Sequence, residues 1–332
     1  MKKLFAILAI LVASAALYGY SFYRSMTKPA VTAGEEQHLF IYPSEPTSAV
    51  VAQLGDSLHL DVRGLRRYLW LQRTVRHRMV SFKPGHYVVR EGDDIRSLVL
   101  RFASGAQTPV RLVVPDGRDL GRIVGRIADQ LMADSSSLMQ ALPPKEQAFT
   151  LLVPNTYEVY WTLTPKLFVE RMIHEHDVYW NDSRRALAAR LGLTPDEVVT
   201  LASIVDEETA KNDEKPVVAR LYLNRLAIGM RLQADPTVKY AVGDPTLRRI
   251  LFVHLETPSP YNTYLHEGLP PSPIRLPSLQ AVEAVLHPAD HDWLYMCARE
   301  DFSGYHNFAR SLADHNANAR RYQAALNAKG IH

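Results

Sequence analysis

The sequence predicts an α+β protein in three parts: an N-terminal transmembrane helix, a small α/β domain and a larger α+β domain. Three observations carry this. Two lysines precede a long apolar run at the N-terminus. From His38 onward, short β-branched strands alternate with amphipathic helices. The best-defined helix of the C-terminal part opens on a capping box. At 332 residues the chain also exceeds what one core usually organises, so two domains follow the anchor.

Lys2-Lys3 stand before an uncharged apolar run from Leu4 to Phe22, about 19 residues, which just crosses a bilayer core at ~1.5 Å per residue. The lysines place that end in the cytoplasm and the remaining chain outside. A cleaved signal peptide is the competing reading, because Ala13-Ser14-Ala15 has the form of a cleavage site. The run continues past Ala15, which favours an anchor over residues 1–24; either way the body is exported. Tyr18, Tyr20 and Tyr23 suit an interfacial belt. Residues 25–37, polar and holding Pro29 and Gly34, read as a tether. Cys297 is the single cysteine, which excludes an intramolecular disulfide and any Cys-rich metal site. A net charge of +3 suits an anionic wall polymer or an ordinary surface, and no nucleic-acid partner is expected.

In the small domain, residues 38–107, His38 to Tyr42 is a strand, and Thr47 to Leu54 and Leu65 to Arg73 are helices. Tyr87-Val88-Val89 is a second strand, Gly92-Asp93 a turn and cap, and Asp94 to Phe102 a helix. This strand, Gly-Asp turn and helix resembles the opening of a LysM glycan-binding module, and equally fits a plain capped βα unit. Ser104 to Pro109 interrupts the pattern and sets a boundary near Gln107. Beyond it, in residues 108–332, Val110 to Val114 is a strand, Leu120 to Met132 a helix, and the polar Asp134 to Gln147 a surface connection. Trp293 to Ala298 and Tyr305 to Phe308 read as strands, and Ser311 to Lys329 as a closing helix.

The most informative helix begins at Thr194-Pro195-Asp196-Glu197, a capping box with Pro in the first turn. Val198, Val199, Leu201, Ala202, Ile204 and Val205 form a broad apolar face at 100° per residue. Asp206, Glu207 and Glu208 end it. On the same wheel Glu207 points away from the stripe and should be solvated, whereas Asp206 and Glu208 both face the packed side. Burial and the negative end of the helix dipole oppose charge there and raise a carboxyl pKa, the condition a proton donor to a glycosidic oxygen needs. Periodicity leaves Asp206 and Glu208 tied, and allows both to be a solvated helix end or partners of Lys211 or Arg220.

Further motifs follow in order: the helix from Lys215 to Leu226, stopped at Gly229; Met230 to Ala241 with Gln233, Asp235 and Thr237; Pro260-Tyr261-Asn262-Thr263-Tyr264; and Gly268-Leu269-Pro270-Pro271-Ser272-Pro273-Ile274. With Ala202 to Thr209, these closely resemble the endolytic murein transglycosylase family (YceG-like, MltG type), most densely between residues 200 and 275. The resemblance implies that Glu208, the last acid of the helix motif, is catalytic. Asp206 stands where the family has glutamate, which shortens its reach and leaves it supportive at most. Asn155, after Pro154, stands where the family usually has aspartate, which removes a carboxylate there but keeps the turn and Tyr157. Tyr261, Asn262, Tyr264, Gln233, Asp235 and Thr237 are candidates for supporting or substrate-binding roles; each also fits ordinary turn structure.

The resemblance implies cleavage of the MurNAc–GlcNAc β-1,4 bond of nascent peptidoglycan glycan strands. One glutamate acts as acid and then base, leaving 1,6-anhydroMurNAc ends and terminating strand elongation. It implies no cofactor, an inner-membrane location with a periplasmic catalytic domain, and peptidoglycan synthases as partners. A non-catalytic, membrane-tethered peptidoglycan-binding scaffold is the alternative. A metal site at His287 and His291 is disfavoured, because Pro288 breaks the helix such a pair needs and no Glu follows His287. Ser203 and Ser272 lack the G-x-S-x-G elbow of a serine hydrolase.

Overall fold

The computed structural model describes residues 2–31, 36–58, 60, 62–244, 247 and 249–330. The mixed α+β architecture expected from the sequence is present. Helix α1 (Lys2–Thr27) is long and apolar enough to cross a membrane, as a signal sequence near an N-terminus would also be. The chain divides into two units, residues 1–112 with 158–163, and residues 113–157 with 164–332.

In the first unit, β1 (Gln37–Ile41), α2 (Thr47–Leu58), α3 (Val62–Thr74), β2 (Gly85–Val89) and α4 (Ile95–Ser104) follow in order, with β1 and β2 antiparallel so that Leu39 faces Tyr87. Leu39, Ile41, Leu54, Leu65, Tyr87, Ile95, Leu98 and Phe102 fill its core. The cap of α4 is Asp94, one residue later than expected. Its side chain accepts the Ser97 N–H, while Asp93 pairs with Arg101 at 2.8 Å. Part of the expected tether belongs to this core: Met26 and Val31 are buried within it, and residues 32–35 lie outside the described residues. The chain leaves the unit through β3 (Val110–Val114) and returns at Glu158–Leu163, where Trp161 packs edge-on against Phe40 and Tyr42.

The second unit holds α5 (Leu120–Ala128), α6 (Ser135–Ala141), α7 (Lys145–Leu151), β4 (Asn155–Val159, its last two residues in the first unit), α8 (Pro165–Tyr179), α9 (Asp182–Arg190), α10 (Pro195–Glu208), α11 (Lys215–Ala227), α12 (Asp235–Val242), α13 (Phe252–Leu255), α14 (Leu279–Leu286), β5 (Tyr295–Ala298), β6 (His306–Ala309) and α15 (Leu312–Ala328). Helices α6 and α7 occupy the stretch expected to be a surface connection. Its polar start is a cap, with Asp134 accepting the Ser137 N–H, and Leu138, Ala148 and Phe149 are buried.

Helix α10 runs through the middle of this unit, packed against α7, α9, α11, α12 and α14. The capping box at its start is formed in both directions between Thr194 and Glu197. Every residue from Val198 to Val205 is buried, so the helix has no solvent face over its central turns. Ser203 Oγ donates to the Thr200 carbonyl and accepts the Ile274 N–H at 3.0 Å, which fixes the Pro-rich loop against the helix. Strands β5 and β6 pair antiparallel, Ala298 opposite His306, beyond the C-terminal end of α10.

Candidate active site

The three acids that end α10 meet three different surroundings. Asp206 is buried in a polar cage. Lys215 Nζ lies 2.7 Å from Oδ1, the Ser278 N–H and hydroxyl each donate at 2.9 Å, and Arg275 stands at 3.5 Å. Burial pushes its carboxyl up, but the Lys215 bond, the Ser278 amide and the cations outweigh that and hold it below the ordinary carboxylate range. Asp206 is therefore an anion tying α10 to the starts of α11 and α14.

Glu207, expected to be solvated, is also covered: its side chain is 6% exposed and pairs with Arg118 and with Arg275 at 2.9 Å. The wheel places Glu207 away from the apolar stripe, but α10 is buried on every side over its central turns, so that side is not a solvent face. What the wheel could not give is the long-range coverage supplied by Arg118 and Arg275, respectively 89 and 68 residues away in the sequence.

Glu208 is different. Tyr222, buried on α11, donates its hydroxyl to Glu208 Oε1 at 2.5 Å, and no cation pairs with this carboxyl among the described residues. Burial pushes it up to about 7, and the charge of Asp235 pushes the same way, against the Tyr222 hydrogen bond and the nearby His306 and Arg225. The Tyr222 phenol, buried beside a carboxyl, is raised well above its ordinary value and stays a donor.

Glu208 opens into a pocket of about 200 Å³ lined also by Tyr222, Arg225, Gln233, Asp235, Tyr264, Cys297 and His306. Two larger hollows on this unit, about 720 and 820 Å³, lack Glu208. Size favours those; the convergence of polar groups on a raised carboxyl favours the smaller one.

Four of the residues singled out in the sequence thus share one pocket: Glu208, Gln233, Asp235 and Tyr264. Tyr264 donates to Asp235 Oδ1 at 2.7 Å, and Gln233 takes a left-handed backbone (φ 48°) at the turn into α12. Asp206, Thr237, Tyr261 and Asn262 are not among its lining residues. Thr237 is fully buried, bonded to the Ala234 carbonyl and to Thr263 Oγ1. Asn262 is fully buried and donates to the Leu255 and Thr257 carbonyls. Tyr261 meets Ser272 Oγ at 2.6 Å and packs on Tyr240. Tyr261 and Asn262 shape the loop that presents Tyr264, and Thr237 ties α12 to that loop through Thr263.

Sequence reasoning missed Tyr222, Arg225 and His306. Arg225 is 8% exposed and donates to the Leu294 and Leu232 carbonyls. His306 is held by Glu214, which accepts the His306 backbone N–H at 2.7 Å and approaches Nδ1 at 2.9 Å. Burial pushes the Glu214 carboxyl up, and the bonds from His306 and the Thr209 hydroxyl more than reverse that. Tyr222 and Arg225, three residues apart on α11 and both buried, share a side of that helix, and that spacing was the available sequence signal.

The chain is similar in sequence and fold to proteins of one bacterial family. The chain is 28% identical over 278 residues to the endolytic murein transglycosylase of Bacillus subtilis (strain 168), covering 75% of each. It is 25% identical over 282 residues to the endolytic murein transglycosylase of Streptococcus pneumoniae serotype 2 strain D39, covering 73% of this chain and 51% of that one, so it spans about half of the pneumococcal protein. A crystal structure of a YceG-like protein from Listeria monocytogenes matches with a TM-score of 0.54 at 25% identity, over 86% of this chain and 99% of that one. The model of the YceG-like family matches residues 39–321, nearly the whole chain beyond its apolar helix, and the chain belongs to that family.

Proposed function

We propose that this chain is an endolytic lytic transglycosylase of peptidoglycan, with Glu208 as its acid and base. The observation that carries the reading is a carboxyl at about 7, set in a polar pocket and bonded on one oxygen by Tyr222. The names of the similar bacterial proteins supply the substrate class.

Near neutral pH Glu208 is substantially protonated. Tyr222 occupies Oε1, so the proton is carried by Oε2 and offered to the pocket. Transfer of that proton to the oxygen linking MurNAc to GlcNAc breaks the C1–O bond and frees the GlcNAc hydroxyl. The resulting carboxylate, now a stronger acceptor for Tyr222, takes the proton of the muramyl C6 hydroxyl while O6 bonds to C1. The product is a 1,6-anhydroMurNAc end, the glutamate returns to its starting state, and no water is consumed. The intramolecular attack has a high effective concentration, which makes a second catalytic carboxylate dispensable.

Asp235 favours a second reading, because its carboxylate shares the pocket. Ordinary glycosidases use two carboxylates and add water. The products separate the two. The full-length protein in detergent, incubated with uncrosslinked glycan strands, should release anhydro-ended fragments, one water lighter than the reducing ends of hydrolysis. Reducing ends alone would establish the hydrolase, and no new ends from the parent would leave the membrane-tethered, glycan-binding scaffold.

In this reading α1 holds the protein in the cytoplasmic membrane with its N-terminus inside and the catalytic unit outside, acting on nascent strands beside their synthases and ending their elongation. The residues from Tyr87 to Phe102, which resemble a LysM opening, add glycan affinity in the first unit.

A further inference from the structure

We propose that His306 is a second substrate-contacting group of the Glu208 pocket, its Nε2 accepting a hydrogen bond from an O–H or acetamido N–H of the amino sugar seated against Glu208. The proposal rests on the transglycosylase reading for the identity of that sugar.

Three observations support it. His306 lines the pocket that holds Glu208, and its side chain is 16% exposed. Its Nδ1 is committed to Glu214, whose side chain is 4% exposed and lies outside the pocket. A carboxylate on Nδ1 holds the proton there, so in the neutral ring Nε2 is left with a lone pair. No protein partner for Nε2 is found among the described residues, and it is not a buried atom lacking a bond, so the pocket is where it meets a ligand.

The support beneath the ring is unusually direct. Glu214 binds His306 through both backbone N–H and ring, and it also accepts the Thr209 hydroxyl, on the residue following Glu208. One buried carboxylate therefore sets the imidazole and the end of α10 in a common frame. Opposite, Ala298 pairs with His306 across β5 and β6 and offers only a methyl group, which leaves room beside the ring for a sugar substituent.

Asparagine and glutamine separate this role from a structural one. An Asn amide reaches about as far as Nδ1 and can keep the bond to Glu214, whereas a Gln amide reaches about as far as Nε2 and can restore the pocket acceptor. In full-length protein acting on uncrosslinked strands, H306N should unfold at the parent temperature but lose about 10- to 100-fold in kcat/KM, and H306Q should recover part of that loss. Parent-like kcat/KM in folded H306N would overturn the proposal, as would recovery by H306N with none by H306Q.

A second measurement does not depend on how the variants fold. In histidine-labelled, full-length E208Q, the His306 Nε2 resonance should move on titration with a GlcNAc–MurNAc tetrasaccharide. A resonance unmoved at saturation would overturn the contact. Failure of the parent itself to form anhydro ends would instead overturn the functional reading, so the two failures are distinguishable.

Discussion

At the scale of single residues, one helix end holds three carboxyls with three different fates. Asp206 is caged by cations and amide donors, Glu207 is clamped by arginines, and Glu208 keeps only a phenol. Removing the acid through E208Q should lower the rate by at least ~100-fold, measured as anhydro ends formed per unit time. Because the reaction starts from the protonated form, kcat/KM should fall as pH rises through about 7. Tyr222 holds that midpoint down, so Y222F should move the falling limb to higher pH; an unmoved limb would show that the hydroxyl does not bear on Glu208. Glu208 was reached in the sequence through its motif, whereas the phenol that directs its proton comes from another helix, 14 residues on.

At the scale of elements, α10 is held at its start by a local device and at its end by distant ones. The capping box lies within four consecutive residues, so the sequence alone located it. The ion pairs of Asp206 and Glu207 draw on α11, the Pro-rich loop and the turn before α5, and no period in the sequence predicts such meetings. The same limit explains the turn residues. Tyr261, Asn262 and Thr237 carry the right chemistry for sugar binding, yet backbone carbonyls and neighbouring hydroxyls take up their polar groups. The D206N substitution leaves Lys215 buried without its counter-charge and should destabilise the second unit by about 3 kcal/mol, while activity per folded molecule persists. Since the Asp206 carboxyl is lowered on folding, this stabilisation is complete above the unfolded-state pKa and is lost as pH falls through the folded one. The gap in Tm between parent and D206N should therefore close in acid.

At the scale of the whole molecule, the pocket works against stability. Glu208 is raised on folding, so the folded state is penalised as pH climbs from the ordinary carboxylate range to about 7. In thermal unfolding at pH 8, E208Q should be more stable than the parent by about 1–3 kcal/mol, and at pH 4 the two should coincide. Equal stability at both values would mean that folding does not raise the carboxyl. The first unit has a further property, set by the return of the chain at Glu158–Leu163. Trp161 covers Phe40 and Tyr42, and Thr162 bonds to Gln107 at 2.9 Å, so residues made early wait for residues made late. A fragment ending at residue 112 should expose those rings and resist proteolysis poorly, whereas one ending at residue 163 should not. In synthesis from the N-terminus, the first unit therefore stays open until residue 163, about half of the 332-residue chain, has been made, a window in which chaperones and proteases meet an unfinished domain.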